Sequence, residues 1–407
     1  MRILVQKFGG TSVANLECMK QVREKALAAR AKGFKVLVVL SARSGDTNKL
    51  LALADEWSRN PDPAEVDALI ATGEQVSVAL FSMLMQDAGV KTRSLLGFQI
   101  PMHTDREHSK ARITGIEKEK LFGLLETYDV LAVAGFQGIT CDNRIATLGR
   151  GGSDTSAVAI AAALGCECEI YTDVDGVYTT DPNLCSSARK LDKISYDEML
   201  EMASMGAKVL QIRSVEFAKK YKVPVHVRST FTDTPGTFVT QEDSTMEAVL
   251  VSGIAYDKDQ ARVTLRDVPD VPGVAANLFG PLAESGVVVD MIVQNPSRHG
   301  TTDMTFTVPR ADLKKTLNLM EEIRQETGAA EVLHDLQVCK VSAIGVGMRN
   351  HSGVAAKAFA ALRAMNINIL MISTSEIKIT CLIEEKFTEL AVRTLHDAFG
   401  LDKDPTC

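Results

Sequence analysis

Aromatic side chains are scarce in this 407-residue chain, with one Trp and six Tyr. So few ring faces leave little on which to stack nucleobases. Positive charge is not massed either. The formal net charge is −7 and no basic block occurs, so nucleic acid is not an expected partner. The seven His are sparse and none falls in a Gly-rich loop, so no Ser/His/Asp or Cys/His set can be assembled. The eight Cys include Cys166 and Cys168 but no CxxC pair. Free or buried thiols in a reducing compartment are expected, not disulfides or a metal site. No apolar run nears the length of a membrane span, and the N-terminus enters a strand at once, which leaves no room for a signal peptide. A cytoplasmic protein with no membrane partner is the expectation.

What is present is ordinary for a soluble globular chain, 45% hydrophobic and 24% charged, and the length calls for two or three domains. Strand and helix alternate over the first 245 residues. KVLVVLSA (35–42) and YDVLAVAGFQG (128–138) are continuous apolar runs, as expected of strands buried on both faces of a parallel sheet. Helical spacing covers 15–32, 48–58, 63–88, 151–165, 195–203 and 207–221, and PVHVRST (224–230) adds a strand. One α/β domain, an open and largely parallel αβα sandwich, is expected over 1–245. A polar, Thr-rich stretch (230–245) marks its end.

Beyond that boundary lies an internal repeat. GVAANLF at 273–279 recurs as GVAAKAF at 353–359, and the register continues from Leu282 to Leu362, Met291 to Met371 and Ile292 to Ile372. Each copy reads strand, Gly turn, helix, strand, then a further strand and helix. The expected layout is a linker and joining strand at 246–262 and two small α+β units at 263–336 and 337–407. Units this small are short of core and should pack on each other or across a dimer.

The chemistry is expected where the loops after the buried strands converge, because ligands of open α/β sheets bind at the carboxyl ends of the strands. The opening stretch RILVQKFGGTSV (2–13) ends a strand on Lys7, Phe8, Gly9 and Gly10. Backbone N–H groups in such a turn, a helix N-terminus and Lys7 together make an anion site. The loop is neither GxxxxGK[ST] nor GxGxxG, which disfavours a dinucleotide-dependent oxidoreductase. Other contributors are Ser41 with Thr47, Thr72–Gly73–Glu74, the GFQG turn (135–138), Arg150 to Asp154, and Thr172 to Pro182. Cations and glycines suit phosphates, while carboxylates suit Mg²⁺ or an ammonium group. Taken singly, Asp154 could be only a helix N-terminal carboxylate. Gly73 inside a helix costs about 1 kcal/mol against Ala, so it signals close packing or a ligand.

In combination, KFGGTSV, ATGEQVSVALFS (71–82), GFQG, GRGGSDTSA (149–157), TDVDGVYTTDP (172–182) and MGAKVLQIRS (205–214) resemble bacterial aspartate kinase in order and spacing. The two repeats resemble that family's paired ferredoxin-like ACT regulatory domains. The resemblance implies transfer of the ATP γ-phosphoryl group to the β-carboxylate of L-aspartate with Mg²⁺, giving 4-phospho-L-aspartate. That is the first step toward lysine, threonine and methionine. It places Lys7, Phe8, Gly9, Gly10, Thr172, Asp173, Tyr178, Asp181 and Lys208 around ATP. Ser41, Thr47, Glu74, Arg150 and Ser153 would hold aspartate, and Lys7, Arg150 and Asp154 would be catalytic. No resident metal ligand is implied.

The same resemblance assigns effector contacts to Asp270, Gly273, Ala275, Gln294, Asn368 and Ile369. It implies feedback inhibition by lysine and threonine, with lysine alone as the alternative. It also implies a homo-oligomer through the ACT domains, or an α₂β₂ assembly whose smaller subunit starts internally at Met246. Kinases of the same broad fold acting on N-acetylglutamate, glutamate or UMP, and a non-catalytic amino-acid sensor, are the competing readings. The double-repeat tail with Arg150 argues against the former. The intact Lys7, Glu74, Arg150 and Asp154 set argues against the latter.

Overall fold

The buried apolar runs do pair side by side. In a computed structural model, which describes residues 1–206, 209–243, 246, 249–295 and 300–403, the chain divides into two compact units. The first comprises Met1–Tyr178 and Lys190–Glu247, the second Thr179–Arg189 and Ala248–Cys407.

The first unit runs β1 (Ile3–Phe8), α1 (Leu16–Ala31), β2 (Lys35–Leu40), α2 (Asp46–Trp57), α3 (Pro63–Ile70), α4 (Thr72–Asp87), β3 (Thr92–Leu95), β4 (Met102–Thr104), β5 (Ile113–Ile116) and α5 (Lys118–Thr127). It continues with β6 (Val130–Ala134), β7 (Gln137–Ile139), β8 (Ile145–Thr147), α6 (Gly152–Leu164), β9 (Cys168–Thr172), β10 (Lys193–Ser195), α7 (Tyr196–Ser204), α8 (Ile212–Tyr221), β11 (Val225–Ser229) and β12 (Thr237–Thr240). Local signals explain several boundaries. Asn15 caps α1 by accepting from the Cys18 N–H at 3.0 Å, Asp62 and Pro63 open α3, and Ser195 with Glu198 forms a capping box on α7.

Eight strands form one sheet in the order β10-β12-β11-β9-β1-β2-β6-β3. All its pairs are parallel except β11 with β12. β1 lies between β2, which follows it in the chain, and β9, which comes much later, so the topology switches direction at β1. One face is filled by Leu4, Phe8, Met19, Val22, Val36, Val38, Phe81 and Met85, all buried.

Several readings change in detail. Residues 63–88 form two helices that break at Ala71. The 128–138 run is two strands in different sheets, because Phe136 turns the chain with φ +69°. β7 leaves the large sheet for a second one, β5-β4-β7-β8, whose strands are three or four residues long. The continuous stretch Pro63–Asp87 is long and apolar enough by composition to cross a membrane, contrary to the expectation. Half of it is buried inside the unit, with Asp67 and Glu74 among its buried residues.

The second unit contains β13 (Gly253–Asp257), β14 (Gln260–Pro269), α9 (Val274–Glu284), β15 (Ile292–Gln294), β16 (Thr301–Pro309), α10 (Leu313–Thr327), β17 (Glu331–Asp335), β18 (Val338–Ile344), α11 (Val354–Ala364), β19 (Met371–Thr374), β20 (Lys378–Glu384) and α12 (Thr388–Phe399). The repeat is real in three dimensions. Each copy opens its first helix on a glycine, Gly273 or Gly353, at φ +97°.

The layout of the copies needs correction. The first has its own four strands, in the order β15-β16-β14-β17, but the second is ordered β13-β18-β20-β19. The joining strand expected with a linker at 246–262 is therefore the fourth strand of the second module, paired antiparallel from Gly253↔Ile344 to Asp257↔Lys340. The first module is inserted into the second. Residues 179–189, read as part of the 1–245 domain, also belong to the second unit. There Thr179 C=O accepts from Ile254 N–H at 2.7 Å and Tyr256 OH donates to Asp181 at 2.9 Å.

Because Val338–Ile344 without β13 becomes an unpaired edge, a fragment of residues 246–407 is expected to melt cooperatively. A fragment starting at Gln260 should melt about 10 °C lower or more, or aggregate. Circular dichroism melts with size-exclusion chromatography check this.

Candidate functional site

The carboxyl ends of β9, β1, β2 and β6 lie side by side, and four loops leave from them. The loop after β1 is tied to the loop after β2 by backbone hydrogen bonds. Ser41 N–H donates to Phe8 C=O at 3.2 Å and Ser44 N–H to Gly10 C=O at 3.1 Å. The approach is so close that a Cβ on Gly10 would stand 2.9 Å from the Ala42 oxygen. From the other side, a Cβ on Gly73 would stand 2.7 Å from the Ala42 Cβ. Of the two explanations open for Gly73, close packing is the one realised.

Lys7 points out of β1 toward the first turn of α6, where its Nζ lies 2.6 Å from Asp154 Oδ1. Both side chains are nearly covered, at 12% and 11% exposure. Asp154 is thus a first-turn helix carboxylate and also the partner of Lys7. A Cβ on Gly9 would come within 3.4 Å of Lys7 Nζ, so the ammonium lies over the glycine turn. Ser153, beside Asp154, is buried against Gly135. Beneath the turn Phe8 stacks on Tyr171, their centroids 4.6 Å apart.

Glu74, in the first turn of α4, is 3% exposed. Its Oε1 accepts from Ala42 N–H at 2.8 Å, while the buried Oε2 has no protein partner. Burial pushes its pKa from the ordinary 4.5 to about 7, against the pull of the Ala42 N–H. A buried carboxylate oxygen with nothing to accept from suits a cationic group that arrives with a ligand. Ser41 and Thr47 are half-buried on the loop and helix that follow β2.

Arg150 is exposed, in the loop between β8 and α6. Two residues to which the sequence reading gave no role hold this loop. Gln211 donates from Nε2 to Arg150 C=O at 2.7 Å, and Arg213 donates to the carbonyls of Leu148 and Ala111. Both stand in the quoted MGAKVLQIRS motif, which was the available signal.

Thr172, Asp173 and Tyr178 follow β9. Thr172 Oγ1 donates to Asp173 and Tyr178 OH donates to Asp175 at 2.8 Å. Asp181 falls in the second unit, where it accepts from Tyr256 and from Asn183. Lys208 lies outside the described residues. Ser12, in the opening motif, is fully buried against Thr230 Oγ1 at 2.7 Å, a packing role. The first unit thus gathers a lysine over a glycine turn, an exposed arginine and a carboxylate with one open oxygen. That set can take a polyanion beside a small zwitterion.

In the second unit, Asp270, Gly273 and Ala275 sit where β14 passes into α9, and Gln294 ends β15 at the same end of the first module's sheet. Asn368 and Ile369 precede β19 in the second module. Val293 and Leu370, their chain neighbours, pack in one apolar cluster with Met291, Val338, Met371 and Leu382. Lys340, 1% exposed, pairs with Asp290 across the same seam.

Comparison with known proteins matches the fold and its domains. The amino acid kinase family model matches residues 2–229, and ACT domain models match 263–327 and 341–399. An aspartate kinase of Pseudomonas putida is 52% identical over 404 residues, covering 99% of this chain and 98% of the relative. Escherichia coli aspartokinase III in complex with aspartate and ADP superposes with a TM-score of 0.82 at 28% identity, covering 98% of this chain and 99% of that one. The same enzyme in complex with lysine and aspartate gives 0.76 at 27% identity, with the same coverage.

The Glu74 geometry makes a prediction about the free protein. Between pH 4.5 and about 7 the unfolded carboxyl is ionised while the buried one still holds its proton. The native state then binds more protons, so this group lowers stability as pH rises through that window. Glu74→Gln is expected to abolish that loss and to raise stability above pH 7 by about 1–3 kcal/mol relative to the parent. Thermal melts of both proteins from pH 5 to 8 check it.

Proposed function

The chain belongs to the aspartate kinase family and is an amino acid kinase, a phosphotransferase, and from that premise we propose how its own residues act. The observation that carries the proposal is the Lys7–Asp154 pair over the glycine turn at the topological switch. Lys7 with Phe8, Gly9 and Gly10 receives the ATP phosphates, and Asp154 keeps the Lys7 ammonium aimed at the transferring γ-phosphoryl group. Thr172, Asp173, Tyr178 and Lys208 complete the nucleotide site in this reading. The acceptor is the β-carboxylate of L-aspartate and the product 4-phospho-L-aspartate. Arg150 clamps a substrate carboxylate in bidentate fashion. Ser41, Thr47 and Ser153 hydrogen-bond aspartate, and the open oxygen of Glu74 takes its ammonium group.

The acceptor carboxylate has a pKa near ~4 and is ionised at pH 7. No general base is needed, which suits loops without histidine. The difficulty is to bring two anions together, so positioning and positive charge supply the acceleration.

Mg²⁺ fits this site in one way only. Among the described residues no group of three His, Cys, Asp or Glu is placed to hold a metal ion. Magnesium characteristically keeps waters and binds through substrate phosphates with one or two carboxylates. The ion therefore belongs to the bound nucleotide, where it would neutralise phosphate charge.

For regulation, lysine and threonine acting together are the proposed effectors, bound at Asp270, Gly273, Ala275, Gln294, Asn368 and Ile369. Lysine alone is the second reading, favoured by the lysine complex of the E. coli relative. The enzyme would open the route to lysine, threonine and methionine in the cytoplasm. It would assemble through its ACT domains, or as α₂β₂ with a subunit started at Met246.

ATP-dependent hydroxamate formation from L-aspartate tests the reading, alone and with lysine, threonine and both. Collapse of activity only with both effectors is expected. Lys7→Ala should lose about 10²–10³-fold in kcat, and near-normal turnover would remove Lys7 from its role. A gel of untagged protein expressed from the native coding sequence should show a second band the size of residues 246–407.

A further inference from the structure

Asp67 stands on α3 among residues that read as an ordinary amphipathic helix, yet it is 0% exposed. Its carboxylate accepts from Ser109 N–H at 2.9 Å, Thr147 N–H at 2.9 Å and Thr147 Oγ1 at 2.6 Å, and lies 2.9 Å from His108 Nδ1. Hydrogen bonds to an ionised acceptor are the strong ones. Cutting one here would leave a buried donor unsatisfied.

The three segments it joins lead to the candidate aspartate site. Thr147 closes β8 and passes into the loop of Arg150 and then the first turn of α6, which carries Ser153 and Asp154. Ser109 packs under that loop, since a Cβ on Gly149 would stand 3.0 Å from the Ser109 oxygen. α3 itself runs through Ala71 into α4, whose first turn carries Glu74. Gln137 Nε2 donates to Ala71 C=O at 3.0 Å and pins that junction from β7. One buried carboxylate therefore links the segment that carries Glu74 to the segment that carries Arg150.

We propose that Asp67 is a positioning residue that sets the separation of Glu74 and Arg150. Through them it determines recognition of a small zwitterionic acid that it does not touch. This rests on the reading that Glu74 and Arg150 hold aspartate. Asn in place of Asp67 presents an N–H₂ group to donors and keeps one acceptor oxygen where there were two. Thr147→Val removes the hydroxyl at nearly constant volume, and Thr147→Ser restores it.

The test is steady-state kinetics on the full-length enzyme. In Asp67→Asn the KM for aspartate is expected to rise about tenfold, the order of one lost buried hydrogen bond. The KM for ATP and kcat at saturating aspartate should change by less than about threefold. Thr147→Val should reproduce the aspartate effect in weaker form and Thr147→Ser should stay near the parent. If Asp67→Asn does not fold, the two Thr147 variants decide. An unchanged aspartate KM in folded variants overturns the proposal. So does a joint rise of both KM values with a fall in kcat, which would mark general loosening. Arg150→Ala separates the two layers. If it raises the aspartate KM while the Asp67 and Thr147 variants do not, this proposal alone fails. If Arg150→Ala leaves that KM unchanged, the aspartate site itself is misplaced and both fail.

Discussion

Everything at the candidate site depends on a lysine held at the carboxyl edge of a parallel sheet by a helix carboxylate. The Lys7–Asp154 pair spans β1 and α6, two elements far apart in sequence, at 2.6 Å and with little exposure. In water such a pair would be worth little, but low exposure strengthens the attraction and fixes the direction of the ammonium. The sheet order makes the pair possible. Because the chain turns from β2 on one side of β1 to β9 on the other, the end of β1 is a topological switch point, where open α/β sheets take ligands. The loops after β1 and β2 close on each other through Gly10 and Ala42, and Glu74 presents its open acceptor oxygen to the same neighbourhood. Positive charge for an anion and a buried acceptor for a cation lie on one rim.

Much of this frame was legible in the sequence because it is local. Lys7 sits toward the end of a strand followed by two glycines, and continuous apolar runs announced β2 and β6. The repeat of GVAANLF in GVAAKAF announced two copies of one module. What was hidden depends on partners distant in the chain. The segment Gly253–Asp257 reads as a strand, but nothing local states that it pairs with Val338–Ile344, beyond an entire intervening module. The strands of the β5-β4-β7-β8 sheet are too short for an alternating pattern to register. Asp67 occupies a helix whose remaining pattern is unremarkable, and its burial follows from Ser109 and Thr147, which come from elsewhere. Gly73 signalled a constraint without saying which, and Ala42 supplies the answer.

The two ACT modules are nested, the first within the second. The first module enters from β13 and leaves into β18, and these two strands are paired neighbours in the second module's sheet. Both of its connections are short, through residues 258–259 and 336–337. Its ends are therefore clamped to one pair of strands. No long linker separates the first module from β13 and β18.

β13 is also the strand against which residues 179–189 are bonded. Thr179 C=O accepts from Ile254, and Asp181 accepts from Tyr256 two residues further on. α12 holds the same segment, with Arg393 donating to Leu184 C=O and the buried His396 facing Thr179 Oγ1 at 2.9 Å. Burial lowers the pKa of His396, which favours the neutral ring in this buried hydrogen bond. The segment is continuous with Tyr178 at one end and Lys190 at the other, and those two residues form a bridge to each other in the first unit. Within the second unit, a displacement of β13 therefore carries residues 179–189 with it or breaks the Thr179 and Asp181 hydrogen bonds.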